Sequence, residues 1–390
     1  MTARSLPARL AAATPAGRDR SIDVLRALAI AGVVLGHWLV TAFVLTGSGL
    51  RVASPLAYLP GLTPVSWLLQ TLAVFFFVGG FAAAGGLPRA SSYRGWLLAR
   101  MNRLSRPVLA FLACWAVAAL VWMPAADPES VRTVRVIVLS PLWFVVVYAG
   151  LIAVTPLVWS RPGRAVVPLV AAVAVVDVAR LGLGGPSWLG WVNVATAWLV
   201  PFCLGVACAR GARLPAVGLL LGGIVATAAL VHWFDYPASL VGVPGQGRSN
   251  LNPPTLVAVS FGLAQVGMAL LLRGPLTRLA RRPLVWAVVG ATNLSAMRIF
   301  LWHQTALVAV TLFALGSAPL PGLHTAPDTW WWILARLRWL PVFAAVLLGG
   351  LWLGARIGAG RHPRKGRSVP PQASAARWST PLLRCFGRRS

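Results

Sequence analysis

Charge is what this 390-residue chain has least of: 11% of its residues are Asp, Glu, Lys or Arg, where a soluble enzyme carries about a quarter. Acids are rarer still, at 7 Asp and Glu, and of the 35 cationic residues only Lys365 is not Arg. With 58% hydrophobic residues, an intrinsically disordered chain is excluded. Only 4 cysteines occur (Cys114, Cys203, Cys208, Cys385), and they form no CxxC. Three of them sit inside apolar runs, where a small buried hydrophobe is the ordinary role. No redox or metal centre is expected. A cleavable signal peptide is not expected either, because the first apolar run, 22–45, is too long for one and long enough to span a bilayer. A net charge of +28 ordinarily points to nucleic acid. Here most arginines occupy short stretches between long apolar runs, so membrane topology explains them and no nucleic-acid partner is expected.

Apolar runs are what the chain does have. They fall at about 22–45, 64–86, 104–122, 138–159, 165–181, 189–209, 216–234, 253–272, 295–316 and 331–353, each near the length a helix needs to cross hydrocarbon. Barrel strands would alternate polar and apolar over about ten residues, and these runs do not. The fold expected is all-α, a polytopic membrane bundle of about ten transmembrane helices, with no internal repeat and no soluble domain. One set of connections carries Arg89, Arg94, Arg100, Arg103, Arg106, Arg161, Arg164, Arg210, Arg213, Arg273, Arg278, Arg281 and Arg282. The opposite set carries about half as many arginines and most of the acids. Positive-inside bias then places both termini in the cytoplasm. The expected organisation is a cytoplasmic tail (1–21), a transmembrane domain (22–355) and a basic, disordered tail (356–390) at the anionic membrane surface.

Ionisable side chains within a span cost about 2.5–3.5 kcal/mol each on insertion scales, so each calls for a reason. The first span holds Asp23, Arg26 and His37. Eleven residues separate Arg26 from His37, a rotation that returns to within about 20° of its start, with His37 about 16 Å deeper. Asp23 lies one turn before Arg26, so the three share a stripe suited to lining a shaft entered from the inner leaflet. Two readings stand. Asp23 and Arg26 snorkel to headgroups while His37 packs, or His37 is a general acid or base. The ninth span carries Arg298 and then His303 and Gln304, at a depth that depends on where the helix begins. Local ligand spacing for haem or metal is missing around both histidines. Arg100, Arg103 and Arg106, spaced i,i+3, fan over one side of a helix start, either as ordinary topology signals or as forks for phosphates. The connection 235–252 is a solvated loop or part of an acceptor pocket, with Ser249, Asn250 and Asn252 as its polar candidates. Asp177 and Arg180 are expected to pair locally, and the Trp330–Trp332 run to anchor at the interface.

The run GRDRSIDVLRALAIAGVVLGHW resembles the opening of the membrane-bound acyltransferase-3 family, with Arg26 and His37 on its Arg-x10-His spacing. Arg100-Met-Asn-Arg103 resembles the family's Arg-x-x-Arg before the third span, and RIFLWHQTA its late Tyr-Leu-Trp-His signature, with Phe300 at the tyrosine position. FFFVGGFAAA and PLWFVVVYAGLIAVTPLV resemble its second and Leu-Trp-Phe segments. The resemblance implies transfer of an acyl group, commonly acetyl from acetyl-CoA, to a hydroxyl of a carbohydrate, lipid-linked or other acceptor. The resemblance also implies His37 as the catalytic residue and the arginines as acyl-CoA contacts. The chemistry of the residues fits His37 as general base or acyl relay, Arg100, Arg103 and Arg106 on the CoA phosphates, Arg26 stabilising developing charge, Asp23 holding Arg26, and His303 orienting substrate or sharing the proton work. No bound cofactor is expected beyond the acyl-CoA donor, and the location implied is a bacterial plasma membrane. A proton-coupled transporter using His37 and His303 as relays is the rival reading, disfavoured because no inverted repeat and no paired interrupted helices are evident in the sequence.

Overall fold

The computed structural model describes residues 12, 14–15, 17–316 and 318–360. The tails expected at 1–21 and 356–390 fall largely outside them. By internal contacts the chain divides after Leu351, and the larger unit, up to that residue, holds the helical bundle.

The principal elements are helices: α1 (Arg20–Val40), α2 (Thr63–Leu69), α3 (Leu72–Gly86), α4 (Tyr93–Trp122), α5 (Pro128–Leu139), α6 (Leu142–Ala153), α7 (Pro162–Asp177), α8 (Gly190–Ala209), α9 (Ala216–Trp233), α10 (Leu256–Leu271), α11 (Arg273–Leu279), α12 (Pro283–Phe313) and α13 (Trp330–Gly360). Among the described residues nine helical stretches are long and apolar enough to cross a membrane, or ten if α10 and α11, bent by 53°, count as one. Capping fixes several starts. Asp19 accepts from the amides of Ser21 and Ile22 ahead of α1, Ser92 from Gly95 ahead of α4, and Asp127 from Ser130 ahead of α5, where Pro128 fills a position that needs no donor. A close crossing joins α3 to α8. A Cβ on Gly80 would run into the Phe202 carbonyl and one on Gly205 into that of Phe77, so glycine is what lets these backbones touch.

Hydropathy misplaces several boundaries. The first run reads as one span to residue 45, but α1 stops at Val40 and Ala42–Thr46 pairs antiparallel with Gly49–Ala53 as a β-hairpin. Phe43, Val44 and Thr46 favour extended backbone, and Gly47 to Gly49 supply the turn. Helix α4 begins at Tyr93 rather than near residue 104, so Arg100 lies about two turns inside the helix and not at its start. Helix α12 begins at Pro283 rather than near 295, which carries His303 about 30 Å along the helix, toward the face remote from the start of α1.

Two of the spans are interrupted, which their hydropathy does not reveal. The second span breaks at Gln70–Thr71 and the fourth at Ser140–Pro141. The first break is held by side chains. Thr71 Oγ1 donates to the Ala29 carbonyl at 2.8 Å, Gln265 Nε2 donates to the Gln70 carbonyl, and Gln70 Oε1 accepts from the Leu72 amide at 3.3 Å. Pro141 explains the second, since it offers no amide hydrogen. Irregular backbone at membrane depth is tolerated where it lines a cavity. Both breaks line the same one.

Candidate active site

Helices α1 and α12 bring the two intramembrane histidines together. The ring centroids of His37 and His303 are 5.1 Å apart. His37 stands in the last turn of α1. Its Nδ1 lies 3.0 Å from Nε2 of Gln304, the residue after His303. His303 is fully buried; its Nδ1 is 2.7 Å from the Phe300 carbonyl, which only accepts, so that nitrogen carries the hydrogen and Nε2 holds the lone pair. That Nε2 and Gln304 Oε1 are buried without a hydrogen-bond partner. The Trp38 indole donates to the His303 carbonyl at 2.9 Å and ties the two helices beneath the rings.

A fully buried arginine fixes the end of α1. Arg336 on α13 donates from Nε to the Trp38 carbonyl at 2.6 Å, from one terminal nitrogen to Gly322 at 2.7 Å and from the other to Thr41. Its guanidinium lies 5.4 Å from the Trp332 ring and 4.9 Å from that of Phe343. No carboxylate pairs with it among the described residues. The last carbonyls of a helix want a cation, and here the cation sits one residue from His37. In the sequence Arg336 belongs to the smaller set of arginines on the face opposite the termini, and Trp332 to the run expected to anchor at the interface. The signal available was an arginine inside a Trp-rich apolar run.

A cavity of about 780 Å³ reaches His37. Among the described residues His37 is the only ionisable side chain in its wall, with Gln304, Gln70 and Thr71 among the polar groups and Val33, Leu69, Trp143 and Val147 among the apolar ones. The hairpin end (Val52 to Ser54) and the 241–254 connection also line it. These segments join helix ends remote from Arg20, so the cavity meets the face opposite the one expected. Toward the start of α1 the space is filled by rings. Phe300 lies 4.6 Å from Phe144, and Phe144 stacks on Tyr148 at 5.8 Å. The reason is compositional: the second, fourth and ninth spans all place aromatic residues at this level.

The arginines gather on the other face. Arg100 donates to the Ala82 carbonyl at 2.9 Å, lies 4.7 Å from the Trp96 ring, and is within electrostatic reach of Arg26, Arg103 and Tyr148. It caps the end of α3, while Arg103 and Arg106 are exposed. Asp23 does not hold Arg26. The Arg18 fork takes both its carboxylate oxygens, at 2.6 and 2.9 Å. Arg26 remains half-buried, about 16 Å along α1 from His37. An open recess of about 860 Å³ lies on this face, lined by Arg18, Arg20, Arg273, Arg278 and Arg281 with Asp19 and Thr277. Asp19 is ion-paired to Arg273. Burial raises its affinity for a proton, but the hydrogen bonds from Ser21 and Arg273 outweigh that and hold the carboxyl below its ordinary value. Sequence reading did not single out this recess, because its arginines lie some 250 residues apart along the chain.

Comparison with known families decides what these parts belong to. The acyltransferase-3 profile, described as an acyltransferase domain, matches residues 19–355. The chain belongs to the acyltransferase-3 family. It is therefore a multi-pass membrane acyltransferase. No curated protein and no solved structure compared with it matches significantly.

In this acyltransferase the three polar residues expected on the acceptor side have different duties. Asn250 is fully buried, donating to the carbonyls of Pro237 and Ser239 and accepting from Thr255 Oγ1 at 2.8 Å. Ser249 Oγ accepts from the amides of Leu251 and Asn252. Both shape the loop, and only Asn252 lines the cavity. The Asp177–Arg180 ion pair is not formed. Asp177 instead receives the Leu256 amide at 2.7 Å, Asn193 Nδ2 at 2.9 Å and the Tyr236 hydroxyl at 3.0 Å. Burial first, and then the neighbouring Asp177, push the Tyr236 phenol up, so it stays a donor.

Proposed function

We propose that this acyltransferase moves an acyl group, commonly acetyl, from acyl-CoA to a hydroxyl acceptor, with His37 as general base. The observation that carries the reading is the wall of the cavity: one imidazole among otherwise neutral groups, with its inner nitrogen in contact with an amide at 3.0 Å. That amide selects the tautomer. As placed, the Gln304 amide nitrogen donates to Nδ1. Turned over, its oxygen, which has no partner as placed, accepts from Nδ1–H and the lone pair moves to Nε2, the form this base requires. The acceptor oxygen attacks the thioester carbonyl as Nε2 takes its proton. Collapse of the tetrahedral intermediate breaks the carbon–sulfur bond, and the proton passes to the CoA thiolate. His303, held by Phe300, sets the position of the His37 ring and is a buried neighbour for the proton.

The donor's phosphates suit the arginine face, where guanidinium forks offer paired hydrogen bonds. Arg103, Arg106 and the recess formed by Arg18, Arg20, Arg273, Arg278 and Arg281 are the candidates. Arg100 and Arg26 lie on the way inward. Arg26 is too far along α1 to touch the carbonyl that His37 serves, so in this reading it holds the donor's arm, and Asp23 steadies Arg18 at the rim. The thioester reaches His37 when the Phe300, Phe144 and Tyr148 rings turn aside. The positive bias makes the arginine face cytoplasmic, where acyl-CoA is available, in a bacterial plasma membrane.

Release of CoA thiol by the purified protein in lipid nanodiscs, supplied with acetyl-CoA and hydroxyl acceptors, tests the reading. His37→Gln should abolish turnover while donor binding persists. Gln304→Leu should lower kcat by about 10²–10⁴-fold. Retained turnover in His37→Gln removes the histidine from the mechanism.

A further inference from the structure

The cavity wall also bears on what the acceptor is. Its chemistry is uneven: polar groups meet at His37 and Gln304, and much of the rest of the wall is hydrocarbon and indole. Among the described residues His37 is its only ionisable group, and none of them offers an arginine or lysine to a phosphate or carboxylate lodged inside. A buried anion without a counter-charge is costly. The part of the acceptor within the cavity is therefore neutral and largely apolar.

The second observation concerns where the wall ends. Trp143 and Val146 on α6 and Trp191 on α8 line the cavity, yet they are 42%, 72% and 74% exposed. Both helices belong to stretches long and apolar enough to cross a membrane. Side chains on membrane-crossing helices that line a cavity and are also this exposed mark a side opening to lipid. It lies between the first turns of α8 and the Ser140–Pro141 break before α6. An acceptor arriving from water would instead use the mouth among the loops and need none of this hydrocarbon wall.

Resting on the acyl-transfer reading at His37, we propose that the acceptor is a neutral hydroxylated lipid, an alkyl chain bearing a sugar or polyol head, loaded sideways from the bilayer between α6 and α8. Its chain lies along Trp143, Val146, Trp191 and Val194 while one head hydroxyl meets His37. The leaflet is the one remote from the arginine face.

Two measurements on the full chain in nanodiscs test this. In the first, methyl, octyl and dodecyl glucoside are acceptors with acetyl-CoA. Acetylation efficiency should rise from methyl to dodecyl by about tenfold or more, and Val146→Trp should shrink that ratio. A flat series, or a ratio unmoved by Val146→Trp, overturns the proposal. The second needs no turnover: a dodecyl glucoside with a photoreactive group in its chain is crosslinked and mapped. Labels on α6 and α8 around Val146 and Val194, competed by dodecyl glucoside and not by glucose, support it. Labels spread over the outer helix surface, or absent from these two helices, overturn it. Loss of CoA release with every acceptor would count against His37 catalysis alone, and the crosslink map would still decide the side opening.

Discussion

Replacing Arg336 with methionine tests the idea that a buried cation sets the position of the His37 imidazole. Methionine keeps much of the packing against Trp332 and Phe343 and removes the donors to Trp38, Gly322 and Thr41. Each orphaned buried carbonyl costs about 1–3 kcal/mol, a gross loss of about 3–9 kcal/mol. Burying the guanidinium itself costs several kcal/mol, and the substitution recovers that. A net destabilisation of about 2–4 kcal/mol follows, concentrated at the end of α1 and the hairpin behind it. Because His37 is one residue from Trp38, a shift of about 1 Å there should lower kcat by about 10²-fold. The donor KM should barely move, since the arginine face is at the other end of α1. Arg336→Lys, a single ammonium facing three acceptors, should fall between the two. Thermal unfolding in nanodiscs gives the first quantity and steady-state CoA release the second. If Arg336→Met matches the wild type in both Tm and kcat, the clamp is not what positions the histidine. If donor KM rises as much as kcat falls, the perturbation has spread to the arginine face and is not local positioning of the histidine.

Two further expectations concern the arginine face. The double change Arg103→Ala and Arg106→Ala should raise donor KM, more strongly at low salt where exposed charges are least screened, and leave kcat near wild type; a salt-independent KM equal to that of the parent returns both residues to topology signals. Asp19 has a folded proton affinity below its unfolded value, so its contribution to stability is complete above the ordinary carboxylate range and disappears as pH falls through the lower folded value. Thermal melts from neutral to strongly acid pH should therefore show a loss that Asp19→Asn reduces, and an unchanged acid slope in that variant would refute the linkage.

Sequence alone determined the class of this protein, because hydropathy is additive along the chain and needs no partner. Ten apolar runs with few acids suffice for a multi-pass helical bundle, and the Arg26–His37 spacing, the Arg100–Arg103 pair and the Phe300–His303 run sufficed for the family. Tertiary structure alone decided what those residues touch. Asp23 meets Arg18 rather than Arg26, since a fork from outside the helix satisfies both its oxygens. Arg336 looked like a loop cation until the end of α1 was seen to need a donor. Gln304 shows in the sequence as a polar residue without a partner and the Ser140–Pro141 break has no distinguishing local pattern, and only the packing of α1, α6, α8 and α12 around one cavity gives them a place. The helix breaks escaped notice for the same reason: an apolar run keeps its hydropathy when its backbone unwinds, and whether unwinding is tolerated depends on side chains such as Gln265 that arrive from distant helices.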